Sequence, residues 1–101
     1  MDGNTTGVLQ IYSVEERSAE TATCAARCVG GVVQTGRPFR LRLADGATGT
    51  QVILGLDWIK CYGKVTDLLY PPYSALVQLS GEGVSLLARG VILSSVMNDE
   101  S

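Results

Sequence analysis

The sequence predicts an all-β domain of six or seven short antiparallel strands closed into a small barrel or sandwich. Three observations carry this: apolar and polar residues alternate with period two along most of the chain, glycine or proline signals separate the alternating runs, and no stretch shows a convincing helical stripe. A length of 101 residues suits one domain. The hydrophobic content of 46%, the charged content of 18% and a mean hydropathy of +0.20 describe a packed globule. A closed barrel would also remove exposed sheet edges.

The elements follow in order. Val8 to Val14 alternates, with Leu9 and Ile11 on one side and Gln10 and Tyr12 on the other, and Glu15-Glu16-Arg17-Ser18 reads as a charged turn. From Glu20 to Cys28 the alanines favour helix, yet Ala22, Cys24, Ala26 and Cys28 share one small apolar side while Thr21, Thr23 and Arg27 share the polar one, so strand alternation fits better. Gly30-Gly31 breaks that strand. Val32-Val33 begins a short return, and Thr35-Gly36 turns again.

Arg37 to Leu43 alternates most cleanly, with Phe39, Leu41 and Leu43 opposite Pro38, Arg40 and Arg42. Asp45 to Gly49 reads as a glycine-punctuated connection. Thr50 to Lys60 follows, with Val52, Leu54, Leu56 and Trp58 in phase and Gly55 as a bend. That phase assigns Trp58 to the core. Cys61 to Leu69 reads as a helical turn or loop, and Tyr70-Pro71-Pro72-Tyr73 as a rigid non-helical connection. Ser74 to Ser80 is a further strand ended by Gly81-Glu82-Gly83. Val84 to Arg89 forms a short turn, and Gly90 to Ser94 closes the domain. Residues 8–96 are thus expected to form the barrel between flexible termini at 1–7 and 97–101.

Composition narrows the function. Histidine is absent, which removes the side chain that most often transfers protons near neutral pH. The formal charge is −2, but without Asp2, Asp99 and Glu100 seven acids face eight bases, so the body lacks the strongly basic balance of a nonspecific nucleic-acid binder. No signal peptide is read at the amino terminus, and the most apolar window, Val52 to Ile59, is far short of the roughly 20 residues of a membrane span. Three cysteines cannot all pair within one chain, which favours a reducing, cytoplasmic setting.

The chemistry-bearing residues are few. On an extended strand Cys24 and Cys28 stand roughly 13 Å apart, too far for a disulfide or a shared zinc. They read as small core residues, and no metal or cofactor is expected. Asp57 within an apolar strand is the most unusual carboxylate, and it reads as hydrogen-bonded rather than catalytic. No phosphate-binding loop is present, since Tyr62-Gly63-Lys64-Val65 lacks both the leading glycine and the hydroxyl, so this chain alone is not expected to bind GTP. Two surface candidates are left. Arg37, Arg40 and Arg42 form a basic strip able to contact phosphates or carboxylates, although a solvated strand face that discourages edge pairing has the same pattern. Trp58, Tyr62, Tyr70 and Tyr73 offer aromatic contacts near Lys60 and Lys64.

The run Arg27-Cys28-Val29-Gly30-Gly31-Val32-Val33-Gln34-Thr35-Gly36 resembles the Arg-Val-Glu-Arg-Gly-x-Val-x-x-Gly run of the second domain of elongation factor Tu and related translational GTPases. Ser74 to Gly81 is similar to that family's Asn-Val-Gly-Leu-Leu-Leu-Arg-Gly strand, and Ala88-Arg89-Gly90-Val91-Ile92-Leu93 to its Glu-Arg-Gly-x-Val-Leu end. In spacing the resemblance spans roughly residues 8 to 95. It implies a β-barrel of the translation-factor second-domain type, non-enzymatic, that docks a protein or ribonucleoprotein partner, with RNA contact included and any GTPase supplied by another chain. Ala26 replaces a family glycine, the charged turn lacks the family's glycine-bearing loop, and Pro71-Pro72-Tyr73 replaces a small acidic connection. The family's contacts with the aminoacylated end of tRNA are therefore carried over to no residue here. The alternative is a small-molecule or effector-binding barrel with its pocket near Trp58 and the tyrosines.

Overall fold

The computed structural model describes residues 7–42 and 52–96. Of the flexible termini expected at 1–7 and 97–101, residues 1–6 and 97–101 lie outside the described residues, as do the glycine-punctuated connection at 45–49 and the Leu43 end of the cleanest strand, whereas Gly7 is buried. Among the described residues there are nine strands: β1 Val8–Arg17, β2 Thr21–Gly30, β3 Val33–Gln34, β4 Pro38–Arg42, β5 Val52–Cys61, β6 Lys64–Thr66, β7 Leu68–Leu69, β8 Ser74–Ser80 and β9 Ile92–Ser95. A 3₁₀ turn, Glu82–Leu86, precedes β9.

Six strands close into an antiparallel barrel in the order β4-β9-β1-β2-β8-β5, with β5 pairing back onto β4 through Phe39 with Leu54 and Arg40 with Ile53. The fold is the all-β barrel that the alternation predicts. Strand β6 adds to β5 outside this ring, and β3 pairs with β7 in a separate ribbon.

Period-two alternation puts one set of side chains inside. Leu9 and Ile11 of β1, Phe39 and Leu41 of β4, Leu54, Leu56 and Ile59 of β5, Val77 and Leu79 of β8 and Leu93 of β9 are all buried. Strand β2 contributes the small series Ala22, Cys24, Ala26 and Cys28, all buried as its alternation predicts. In the closed order β2 and β4 lie three strands apart by either route, so Phe39, among the largest fully buried side chains, projects from the wall facing the smallest ones. Matching bulk on one wall with small residues on the other fills a narrow barrel at interior packing density.

Both ends are closed by the chain. At the end where β2 finishes, Val33 and Leu69 of the β3–β7 ribbon are buried and directly opposite each other. At the end where β2 starts, Gly81 N–H donates to the Glu20 carbonyl (2.9 Å), and the 3₁₀ turn buries Val84 with Leu87 just after it. Gly81 sits at φ 138°, where a Cβ would stand 2.9 Å from Leu54 Cδ2, so glycine suits this corner on two grounds.

Three local readings of the sequence are corrected. The charged segment at 15–18 is not a turn: β1 runs on to Arg17, and the reversal falls at Ser18 to Glu20, with Ser18 N–H donating to the Thr21 carbonyl (2.8 Å). Register shifts between Ile11 and Ser13 and between Val14 and Glu16 lengthen β1 without keeping strict alternation, which hides its end from a pattern reading. The bend expected at Gly55 lies instead at Asp57, where the β5–β8 register shifts. Residues 61–69 are no helical turn, since they form the β5–β6 hairpin and β7.

Candidate partner-binding surface

Strand β5 is bulged. Leu56 lies opposite Leu79 and Trp58 opposite Gln78, so Asp57 has no partner on β8. The extra residue reverses the phase beyond it: Ile59, not Trp58, takes the next core position. Gln78 lies between buried Val77 and Leu79 and therefore faces outward, and directly paired residues share a face. Trp58 is thus half-buried on the outer surface, which corrects its expected core position. Asp57 is held at the bulge, accepting from Gln78 Nε2 (2.9 Å) and Ser80 Oγ (3.0 Å), a hydrogen-bonded carboxylate as expected.

The outer surface beside Trp58 reads off the ladders. Ala25 lies opposite Leu76, Leu76 opposite Lys60, and Lys60 opposite Val65, a row across β2, β8, β5 and β6. Its two large apolar members are open to solvent, Leu76 at 37% and Val65 at 67%. Two residues along β2, Arg27 lies opposite Ser74, and its guanidinium sits 5.6 Å from the ring centroid of Tyr12. That cation–π contact fixes the side chain over the sheet.

Between β5 and β6 the chain reverses in two residues, Tyr62 at φ 54° and Gly63 at φ 78°. Two positive φ values in a two-residue loop mark a type I′ turn, which matches the twist of the flanking strands. Asn-Gly is the usual signal, and tyrosine in its place conceals the hairpin from the sequence. Tyr62 is 88% exposed, so its strained backbone is not offset by packing.

Tyr70 and Tyr73 are exposed on the turn before β8, in which Pro71–Pro72 is cis and Tyr73 N–H donates to the Tyr70 carbonyl (2.9 Å). The Tyr73 carbonyl accepts from Cys28 N–H (2.9 Å), which ties this turn to the end of β2. Trp58, Lys60 and Tyr62 therefore share one hairpin, with Lys64 across from Cys61. Arg40 stands elsewhere, exposed on β4 between Ile53 of β5 and Ser94 of β9. Arg37 is exposed before β4 and donates from Nε to Gln34 Oε1 (3.2 Å). Arg42 pairs through its backbone with Ile92, and its side chain lies outside the described ones. At about 3.3 Å per residue, Ile53 and Trp58 are separated by roughly 16 Å along β5, so the arginine strip and the aromatic surface are distinct.

Sequence reasoning did not single out Leu76 or Val65 as contact residues, and it placed Arg27 and Tyr12 on outward faces without pairing them. A signal for Leu76 was available: it shares phase with Ser74, Gln78 and Ser80, an apolar residue on a polar face. The two thiols of β2 are shielded by position. Cys24 and Cys28 are buried, and burial raises the Cys24 pKa from an ordinary 9.0 to about 11, a rise opposed by the Arg17 cation and aided by Glu15. Cys61 is half-buried, its thiol donating to the Ser74 carbonyl (3.5 Å). Among the described residues no three potential metal-ligating side chains come together, and no helix is long and apolar enough to cross a membrane.

No protein-family model matches the sequence, and no curated protein matches it. Among solved structures, the translation elongation factor SelB from Methanococcus maripaludis, in its apo form, is similar to this chain with a TM-score of 0.73 and 11% identity. The match covers 92% of this chain and 19% of that one. At such identity the likeness concerns fold. In fold, this chain is an all-β antiparallel barrel of the kind that forms the second domain of translational GTPases.

Proposed function

We propose that this chain is a non-enzymatic binding barrel that docks a protein or ribonucleoprotein partner, as a translation-factor second domain does, in a reducing cytoplasmic setting. The observation that carries the reading is the division of side chains between the two faces of the wall. The interior is filled by apolar residues from all six barrel strands, whereas Trp58, Lys60, Tyr62, Val65 and Leu76 gather outside. Aromatic and aliphatic side chains flanked by cations are the composition of contact surfaces. The same packing disfavours the small-molecule alternative, because a ligand would have to lie on the open outer wall. The similarity to a segment of SelB supports a place in translation.

Co-sedimentation with ribosomal particles and with purified translation proteins, at low and high salt, tests this reading. The barrel is expected to travel with one such partner. Association that collapses with salt, and with Arg40→Ala plus Arg42→Ala, would identify RNA contact through the arginine strip. A barrel that stays in the supernatant throughout contradicts the proposal.

A further inference from the structure

The most unusual part of the outer surface is the β5–β6 hairpin. Strand β6 ends the order of its sheet, so among the described residues no strand covers its far side. A two-residue turn makes Cys61 and Lys64 the hydrogen-bonded pair, and the next pair, Lys60 and Val65, is then of the non-hydrogen-bonded kind. The N–H and C=O of Val65 therefore point away from β5 toward the open edge. The outward row Ala25, Leu76, Lys60, Val65 leads up to that edge and stops there.

The charges on this face have one predominant sign. Lys60 is exposed on it and Arg27 stands farther off on β2, whereas Lys64, paired with Cys61 and next to Val65, projects from the opposite face of the hairpin. Asp57 accepts from Gln78 and Ser80, and Asp67, just past β6, accepts from Thr35 Oγ1 (3.3 Å). A chain of formal charge −2 thus presents a cationic, partly apolar face around an open strand edge. At its tip Tyr62 occupies a left-handed backbone conformation with its ring almost wholly in water. Exposed residues held in a sparsely populated conformation cluster at binding sites.

We infer that this edge docks an acidic, extended segment of a partner protein, which adds as a strand along Val65 and sets its side chains against Val65, Lys60 and Trp58 on one face and Lys64 on the other. A polypeptide strand offers Val65 both a donor and an acceptor, whereas phosphate oxygens offer only acceptors. Lys60 and Lys64, one on each face of the edge, supply complementarity to carboxylates, and Val65 with Trp58 supplies contact area. The inference rests on the binding-barrel reading and adds the surface and the chemistry of its partner.

Selection of a random peptide display library on the intact chain tests it. Recovered peptides are expected to be rich in Asp and Glu alternating with apolar residues and to shift Trp58 fluorescence. Lys60→Glu with Lys64→Glu should weaken them at least about tenfold. Val65→Pro should do the same, since it removes the edge donor without removing a β5–β6 bond. Far-UV circular dichroism checks that both variants remain folded, and the charge reversal stands as the test if the proline variant does not. Recovery of no binders, peptides without acidic bias, binding indifferent to the charge reversal, or tighter binding of oligouridylate than of any peptide overturns the inference. If any of these occurs while the barrel still co-sediments with a translation component, this surface is wrong and the binding-barrel reading stands. Loss of co-sedimentation overturns that reading, whatever the peptides do.

Discussion

Trp58 stands directly opposite Gln78 in the β5–β8 ladder, one residue out of step with the alternation that buries Leu54 and Leu56. The unpaired Asp57 creates the offset, and its carboxylate is tied to Gln78 and Ser80 across the bulge. Replacing Asp57 by Ala leaves both donors facing water rather than buried, so the loss is that of ordinary exposed hydrogen bonds. The expected destabilisation is about 1 kcal/mol by urea unfolding. An unchanged midpoint would show that the bulge is held by packing alone.

Glycines at Gly7 and Gly36 separate steric from conformational cost. A Cβ at Gly7 would stand 2.3 Å from the Val32 carbonyl oxygen, a backbone atom. Gly7 is also fixed from both sides, its N–H donating to Ser95 Oγ and its carbonyl accepting from Ser95 N–H. Gly7→Ala should therefore cost about 2–3 kcal/mol, in the range of overpacked sites. At Gly36 nothing lies within 4 Å, but φ is +81°, so Gly36→Ala should cost only about 1 kcal/mol from the left-handed conformation. Reversal of that order in denaturant titrations would contradict the packing around Val32.

The buried thiols predict a pH dependence of definite sign. Cys24 titrates near 9.0 when unfolded and at about 11 when folded, and Cys28 is also raised by burial. Between these values the native state retains a proton that the unfolded chain has released, so the unfolding free energy falls as pH rises from 9.0 toward 11. Below 9.0 the contribution is fully present. Cys24→Ala should flatten this slope, and in the native protein at neutral pH Cys61 should react with a thiol reagent before either buried cysteine.

Tyr62 should display opposed effects on stability and binding. At φ 54° an asparagine is better tolerated than tyrosine, so Tyr62→Asn should raise stability by about 1 kcal/mol. Removing the exposed ring should at the same time weaken association with the partner. Thermal unfolding and partner titration of the same variant measure both. A variant that is more stable and binds unchanged would remove Tyr62 from the contact surface.

These residues also show what a sequence conveys. The barrel was legible because Phe39 and Leu41, the Ala22 to Cys28 series, and Val77 with Leu79 keep strict period two, and the inside of a closed sheet must be apolar. Trp58 was misplaced because one inserted residue reverses every later side chain, and an aspartate on the solvent side does not announce a bulge. The β5–β6 hairpin escaped notice because Tyr62 occupies a position whose usual occupant is asparagine or glycine. The same residues that obscured the pattern, Asp57 and Tyr62, build the candidate surface. The arginine strip was legible as alternation alone, and the ladders add that Arg40 lies between Ile53 and Ser94, away from the aromatic side chains.

The most direct test of the surface is site-specific photo-crosslinking in cell extract, with a photoreactive residue placed in turn at Tyr62, Val65 and Arg40. Adducts from Tyr62 and Val65 to one acidic segment of one protein, identified by mass spectrometry, with none to that segment from Arg40, is the predicted result. Protein adducts from Arg40 alone, or adducts to RNA from Tyr62 or Val65, would contradict it.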